Sequence, residues 1–202
     1  MRTNLFLLPI LLTLSTITQA QKSKPTVEEF KKLGRDSLIK MAIAKINDST
    51  FHAKYYDRVT VKANATTVQV EFELSIRLRS GKNCFYDNVS VGLLNGTTGT
   101  GVSGDCDKVT YYKPTSSSQK KIDFVFASIN KSDEIGHLPG NKIPEGATMT
   151  IDEHSSYYYV EFSDESTFSH YKIDKSSGKI SEAGHKEYAR PEKDPDNWEI
   201  IH

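Results

Sequence analysis

A strict alternation of apolar and polar residues over 67–79 is the clearest pattern in this chain. Val, Phe, Leu and Ile take every second position there, and Gln, Glu, Ser and Arg take the positions between them. A period of two is typical of an antiparallel strand with one buried face and one solvated face. Weaker alternation predicts further strands near 53–62, 84–94, 107–113, 147–153, 156–163, 166–174 and 179–187.

Upstream of these strands the period is that of a helix. Thr26 and Glu29 have the spacing of a capping box, which predicts one helix over residues 27–47. Met41 and Ile43 face two different sides of its second half, and a helix with two apolar sides is buried on both. A curved sheet, a later segment of the chain or a second subunit would cover the second side. The first two alternatives, which we favour, place both halves of the chain on one core.

The middle of the chain changes character at residues 113–120, which contain a proline and a run of three serines. Such a stretch is the best candidate for a linker. Residues 121–129 follow, and Ile122, Phe124, Val125 and Phe126 among them predict a buried strand. Glycines and prolines recur over 130–146, which predicts an irregular loop.

Together these elements predict an α+β fold, with one N-terminal helix packed on a curved antiparallel sheet of seven to nine strands. Strands and helices do not alternate along the chain, so a Rossmann fold and an α/β barrel are excluded. We expect a single domain over residues 21–190, with a sub-boundary near 114–120 as the alternative. Residues 191–202 form a polar C-terminal tail.

The first twenty residues have the composition of a secretory signal peptide. Arg2 precedes an apolar run from Leu5 to Leu14, and small residues occupy the positions before the expected cleavage site after Ala20. An apolar run this short does not span a bilayer. We therefore expect signal peptide 1–20 to be removed, a mature chain that begins at Gln21, and a secreted or periplasmic location with no transmembrane segment.

The charge of the chain is balanced, with 26 basic and 26 acidic residues. Removal of the signal with Arg2 would change the net charge by one unit only. This balance provides no steering toward nucleic acid or an anionic membrane. We therefore expect no nucleic-acid partner.

The chain has two cysteines, Cys84 and Cys106, and an oxidising compartment favours their pairing. The loop-entropy model assigns such a bridge roughly 3 kcal/mol. In a simple hairpin Cys106 would lie opposite about Leu93. A Cys84–Cys106 disulfide therefore requires a strand order that is less simple than a hairpin.

Several asparagines occur in the pattern Asn-x-Ser/Thr, which accepts glycans in a eukaryotic secretory pathway and has no such meaning in a bacterium. These asparagines are Asn47, Asn64, Asn88, Asn95 and Asn130. The junction between Ala20 and Gln21 favours a bacterial export site. The sequence leaves both origins open.

The segment Gly99–Gly104 matches the pattern Gly-x-Gly-x-x-Gly of dinucleotide-binding proteins. Such a site needs a helix directly after the glycines, whereas two aspartates, Asp105 and Asp107, follow here. We interpret the segment as a hairpin loop. Together with Asp87 these aspartates have the ligand type of a calcium site but not EF-hand spacing, so solvated carboxylates are the simpler interpretation.

The histidines are scattered and have no zinc-site spacing. His154, His170 and His185 would form a zinc site only if they lay on neighbouring strands. No serine lies in the pattern Gly-x-Ser-x-Gly. We therefore expect no cofactor and no metal, and the sequence favours a non-enzymatic protein while leaving an enzyme open.

Tyrosines occur in runs on three of the predicted strands, and tyrosine suits contacts with proteins and glycans. One tyrosine of each run is expected to pack inward. A lone tryptophan lies in the polar tail, where docking onto the domain is the favoured interpretation and a partner anchor is the alternative. The candidates for a binding surface are Tyr56, Tyr112, Tyr158 and Trp198.

Residues 157–182 resemble the terminal hairpin of PepSY-like domains, which are small exported bacterial α+β modules. In those domains a strand, an Asp-x-x-x-Gly-Lys turn and a second strand follow one another. The matching residues are Asp174, Gly178, Lys179 and Ile180. The resemblance implies export and an α+β fold. Residues 27–79 share the helix-then-sheet plan of some secreted cystatin-like and immunity proteins, which is a likeness of fold alone.

These observations favour an exported non-enzymatic domain that binds a protein, a peptide or an envelope glycan. The alternative is an inhibitor or immunity protein that blocks a secreted enzyme or toxin, and a hydrolase is the third hypothesis. A deep pocket with perturbed titratable groups would favour the hydrolase, whereas an exposed aromatic patch would favour binding. The sequence leaves the oligomeric state open.

Overall fold

A computed structural model of the chain describes residues 24–81, 83–102, 106–132, 142–164, 166–187 and 197–202. These residues form an α+β fold, which confirms the predicted class. They contain twelve strands in two mostly antiparallel sheets rather than one sheet of seven to nine strands. No helix within the described ranges is long and apolar enough to cross a membrane. The predicted signal peptide over 1–20 lies outside these ranges.

The helices of the described residues are α1 (Val27–Lys31), α2 (Arg35–Ile46) and α3 (Ser116–Asn130), and a 3₁₀ turn covers Ala53–Tyr55. The strands are β1 (Arg58–Ala63), β2 (Val68–Glu73), β3 (Ile76–Ser80), β4 (Asn83–Phe85), β5 (Asn88–Gly92), β6 (Thr98–Gly101), β7 (Lys108–Thr110), β8 (Thr148–Glu153), β9 (Tyr157–Ser163), β10 (Thr167–Asp174), β11 (Ile180–Glu187) and β12 (Glu199–Ile200). The first sheet has the order β12-β1-β2-β5-β6, and the second has the order β11-β10-β9-β8-β3-β4-β7.

The N-terminal helix is divided in two, so the prediction of one helix over 27–47 is wrong. The capping box is present, because Thr26 accepts from the Glu29 N–H and the Glu29 carboxylate accepts from the Thr26 N–H at 2.7 Å. Gly34 ends the first piece with φ at 75°, a left-handed conformation that glycine adopts without a steric cost. The chain then re-enters a helix at Arg35.

The segment predicted as a strand over 121–129 is the helix α3, so that prediction is also wrong. Ile122, Val125, Phe126 and Ile129 recur at helical spacing, and each is at most 7% exposed. Residues 113–120, the linker candidate, contain the start of this helix. Thr115 is its N-cap and forms a capping box with Ser118.

Each sheet has its own hydrophobic core. Leu38 and Ala42 of α2 pack against β1, β2 and β5, whereas α3 packs against β3, β8, β9 and β10. Ile39 and Ile46 are partly buried against the first core, but Ile43 is 39% exposed, so the second side of α2 is not fully buried in the described structure as we expected. The buried residues form two clusters rather than the one shared core that the sequence suggested. A single domain over residues 21–190 stays a prediction.

A long bent hairpin joins the two sheets. The alternation predicted over 67–79 is confirmed, but this segment bends at Leu74 and Ser75 and contributes β2 to the first sheet and β3 to the second. At the bend, the Asp57 carboxylate accepts hydrogen bonds from both the N–H and the hydroxyl of Ser75. The apolar residues stay at every second position through the bend. Helices α2 and α3 therefore cover the same side of the bent hairpin.

Cys84 and Cys106 form a disulfide with a Cα–Cα distance of 5.9 Å, which confirms the predicted pairing. The chain reverses between β6 and β7, and β7 then runs parallel to β4 with Val109 opposite Cys84. This reversal brings Cys106 beside Cys84 rather than opposite Leu93. The strand order is therefore less simple than a hairpin, as the bridge requires.

The C-terminal tail docks on the first sheet, as we favoured for Trp198. Strand β12 pairs with β1, and the Ile201 N–H donates to the Val61 carbonyl at 2.8 Å. The Lys62 ammonium lies 4.7 Å from the centre of the Trp198 ring. The tail therefore extends the first sheet by one short strand.

Candidate functional site

Within the described ranges, the helices cover one side of each sheet and leave the other side open. On β9, Tyr158 and Val160 face α3, so Tyr157, Tyr159 and Glu161 face the open side of the second sheet. On β10, Lys172 pairs with Tyr159 and His170 pairs with Glu161, which places these two residues on the same side. The open side of the second sheet is thus rich in rings.

We call this surface the aromatic face and define it by Tyr157, Tyr159, Phe168, His170 and Lys172. The Tyr159 and His170 rings stack with centroids 5.7 Å apart, and Phe168 lies 6.0 Å from His170. The Lys172 ammonium lies 4.5 Å from the Tyr157 ring centre. All five side chains are half-buried. They form one connected patch that presents ring edges and polar tips to the solvent.

A glycine on β11 sets the position of the histidine. Gly184 pairs directly with His170, and a Cβ atom on Gly184 would overlap the imidazole ring. The ring therefore lies over the bare backbone of β11. A side chain at this position would displace His170 from its contact with Tyr159.

The aromatic face carries charges of both signs. Burial raises the pKa of the Tyr159 phenol, and the carboxylates of Glu161, Glu182 and Asp152 raise it further. The phenol is therefore protonated at neutral pH and can donate a hydrogen bond. Because Lys172 lies directly opposite Tyr159, a cation is also within the patch.

The open side of the first sheet has different chemistry. Its residues on β1, β2 and β5 are polar, and Lys62 forms an ion pair with Glu71 at 3.0 Å. The members of this polar face are Thr60, Lys62, Gln69, Glu71, Glu73, Asn88 and Ser90. Within β1, β2, β5 and β6 no ring lies on that side, and the ring described there is that of Trp198, which contacts Lys62 from the docked tail.

The residues predicted as a binding surface lie in different places. Tyr56 is 4% exposed in the first core and Tyr158 is 7% exposed in the second, so the prediction that these two lie on a surface is wrong. Tyr112 packs edge-on against Phe85 at 5.1 Å, and Trp198 lies in the docked tail. The structure does not bring the four together.

The tyrosines of the aromatic face were missed although the sequence contains a signal for them. Tyr158 shares its parity with Val160 and Phe162, which are apolar and face the core. Tyr157 and Tyr159 share their parity with Glu161, which marks the solvated side. The choice of Tyr158 therefore selected the inward member of the run.

Ser169, His185 and Glu187 have the connectivity of a catalytic triad. The Ser169 hydroxyl lies 2.8 Å from His185 Nδ1, and His185 Nε2 lies 3.6 Å from the Glu187 carboxylate. The His185 and Glu187 side chains are 55% and 81% exposed. Solvated groups at the edge of a sheet lack the water-excluded environment that activates a serine. This arrangement therefore does not support a hydrolase.

The carboxylic acid with the largest pKa shift, Glu153, has a structural role. Burial works to raise the pKa of Glu153, but hydrogen bonds from Lys121, Lys175 and Ser80 lower it to about 2. Lys175 and Ser80 contact the carboxylate at 2.9 Å and 2.8 Å. These contacts join α3, β3, β8 and the turn after β10, so Glu153 fixes the helix on the second sheet.

The histidines considered for zinc have other partners. His154 stacks on Tyr157 at 4.3 Å, His170 belongs to the aromatic face, and His185 contacts Ser169. Within the part of the chain that the structure describes, no group of three or more metal-ligating side chains is placed to hold an ion. Asp105, one of the aspartates considered for calcium, lies outside those ranges.

Comparison with protein-family models, with curated proteins and with solved structures found no match to this chain. The resemblance of residues 157–182 to PepSY-like domains therefore stays a prediction. The geometry of the aromatic face is the basis on which a function can be argued.

Proposed function

We propose that this chain is an exported, non-enzymatic binding protein that docks a protein partner on the aromatic face. The observation that carries the proposal is a connected patch of rings on an open sheet, interspersed with charges of both signs. Tyrosine and other aromatic residues are enriched in protein interfaces, because they bury a large apolar area and keep a polar tip. A rigid sheet holds these rings in place at little entropic cost.

The contacts within the patch favour a protein over a glycan. Sugars stack on an open ring face, but Tyr157 already has His154 stacked on it at 4.3 Å and Lys172 above it at 4.5 Å. Tyr159 in turn stacks on His170. Contacts within the molecule therefore engage the Tyr157 ring and one face of the Tyr159 ring, which reduces the open ring face for a sugar and leaves ring edges and hydrogen-bonding tips for a partner.

The alternation of charges in the patch supports the same conclusion. Glu161 and Glu182 lie near Tyr159, and Lys172 lies opposite it. Charges of both signs fix the relative position of two proteins in an interface and make their binding specific. A polyanion or a polycation would instead require a surface with charges of one sign. The partner is therefore a folded protein with a complementary mixed surface.

The test begins with a partner captured from the native envelope and then purified. Tyr159→Ala and His170→Ala should each weaken its binding about tenfold or more, which corresponds to about 1.4 kcal/mol for a residue in an interface centre. Thr60→Ala and Gln69→Ala on the polar face are matched controls and should change affinity less than twofold. Equal binding by all four variants would contradict the proposal.

The same purified partner separates two uses of the surface. If the partner is a secreted enzyme or toxin and loses activity in the complex, the chain acts as an inhibitor or immunity protein. If its activity is unchanged, the chain acts as a binding module. Both results require the aromatic face.

A further inference from the structure

The four edges of the two sheets differ in how they are protected. Natural sheets protect their edges with charges, prolines, bulges or very short strands. Strand β11 carries the charged residues Glu182, Lys186 and Glu187. Strand β7 is three residues long and begins with a lysine, and strand β12 is two residues long and begins with Glu199. Strand β6 reads Thr-Gly-Thr-Gly and has neither charge nor proline.

The hydrogen bonds of β6 show which backbone groups are free to pair. The Gly92 N–H donates to the Thr97 carbonyl at 2.8 Å, and β5 and β6 continue antiparallel from that point. Hydrogen-bonded and non-bonded pairs alternate in an antiparallel ladder, so Gly99 and Gly101 bond to β5. The N–H and C=O groups of Thr98 and Thr100 therefore point to the outer side, where the described residues place no strand.

We infer that β6 accepts an extended segment of a partner protein by strand addition, in a contact separate from the aromatic face. Thr98, Gly99 and Thr100 are exposed, so a peptide can reach the outward backbone groups. The first sheet already takes an extended segment at its opposite edge, where β12 pairs with β1. Recognition through backbone groups at an uncharged edge suits an extended segment whose central residues are neutral and β-branched.

A second copy of the chain fits this edge less well than a peptide. The strand is four residues long, and pairing of two such strands would bury far less than the roughly 1,000 Å² that a stable dimer requires. A flexible peptide forms a weaker and transient contact, for which a short edge is sufficient. We therefore assign the edge to a peptide and treat self-association as an outcome that the test can reveal.

The probe is the capped peptide Lys-Thr-Val-Thr-Val-Thr-Lys, and its control is the same peptide with every central amide N-methylated. In NMR titrations of the disulfide-bonded protein, we expect the amide signals of Thr98 and Thr100 to shift most. Thr100→Pro should weaken binding at least tenfold, because it removes an outward donor without removing a bond to β5. The methylated peptide should fail to bind the unaltered protein, which keeps the test valid even if the proline variant does not fold.

Tyr159→Ala should bind the probe as the unaltered protein does, so a failure of the aromatic face is distinguishable from a failure of this edge. Equal binding of the methylated peptide, no binding of the probe, or signal shifts confined to β11 would overturn the inference. A concentration-dependent dimer that Thr100→Pro abolishes would also overturn it, because the occupant would then be a second copy.

Discussion

The two halves of the molecule share one plan and differ on their open sides. In each half a helix precedes four neighbouring antiparallel strands, which are β1-β2-β5-β6 after α2 and β8-β9-β10-β11 after α3. The helix-covered side of each sheet is apolar, since it must form a core. The other side is polar along the strands of the first sheet, where Trp198 of the docked tail contacts Lys62, and it carries a connected patch of rings in the second. The covered sides therefore specify the fold, and the open sides are free to carry different binding chemistry.

The helices of the two halves also differ in how much they bury. Four apolar side chains of α3 are at most 7% exposed, whereas α2 follows a break at Gly34 and leaves Ile43 39% exposed. The second half should therefore depend more strongly on its helix than the first half does.

The largest expected effect is a difference in unfolding free energy between a substitution in α3 and one in α2. Phe126→Ala in α3 removes a fully buried ring and should lower the free energy of unfolding by about 3–5 kcal/mol. Ile43→Asp in α2 should cost less than about 1 kcal/mol, because a surface charge has no large desolvation cost. Urea denaturation of both variants measures the difference. A larger loss for Ile43→Asp would mean that a partner or another segment covers that side of α2.

The disulfide acts where the two halves join. Replacing both cysteines in the double variant Cys84→Ser with Cys106→Ser should cost about 3 kcal/mol, since the bridge closes a loop with a sequence separation of 22. Calorimetry under non-reducing conditions compares this variant with the unaltered protein. An unchanged melting temperature would show that β7 is held against β4 without the bridge.

Acid should weaken the second half through Glu153. Its pKa is lowered to about 2 from an ordinary value of 4.5, so the folded state stabilises the carboxylate. This contribution is fully present above the unfolded pKa and is lost as the pH falls through the folded pKa. It amounts to at most about 3 kcal/mol, and less at high salt.

Denaturation curves between neutral pH and pH 2 measure this contribution. Glu153→Gln should be less stable at neutral pH and should lose less stability on acidification than the unaltered protein. Lys121→Met should show an intermediate acid response, since Lys175 and Ser80 still contact the carboxylate. A parallel acid response of Glu153→Gln and the unaltered protein would disprove the role assigned to this residue.

The smallest expected effect compares the two capping boxes. Thr115→Ala should cost about 1 kcal/mol, because within the described ranges α3 is the helix that packs on the second sheet. Thr26→Ala should cost less, because α1 is five residues long and most of its residues are exposed. Thermal denaturation of the two variants side by side measures the ratio. Equal losses would mean that the first half depends on its N-terminal helix as strongly as the second half depends on α3.

The sequence predicted those features that depend only on the alternation of apolar and polar residues within one segment. The alternation over 67–79 holds through both sheets, and four strands after residue 146 lie where the pattern placed them. The bend at Leu74 could not be predicted, because the alternation is uninterrupted there and Asp57, which bonds to Ser75, is distant in sequence.

Helix α3 was missed because Phe124 obscures its period. Phe124 lies two residues after Ile122 and directly before Val125, so the segment matches both a buried strand and a buried helix. Thr115 and Ser118 form the capping box, but a serine at that position is a weaker signal than a glutamate. The aromatic face was missed for a different reason, since a run of three tyrosines hides which of them faces the core.

Photo-crosslinking from the two open faces tests the central claim most directly. A benzoylphenylalanine is placed at Glu161, on the open side next to Tyr159, and in a second variant at Glu71 on the polar face. Both positions replace a glutamate on an open sheet, so each is the control for the other. We predict that a protein from the native envelope is captured from position 161 and not from position 71. Equal capture from both positions, or capture from position 71 alone, would contradict the account.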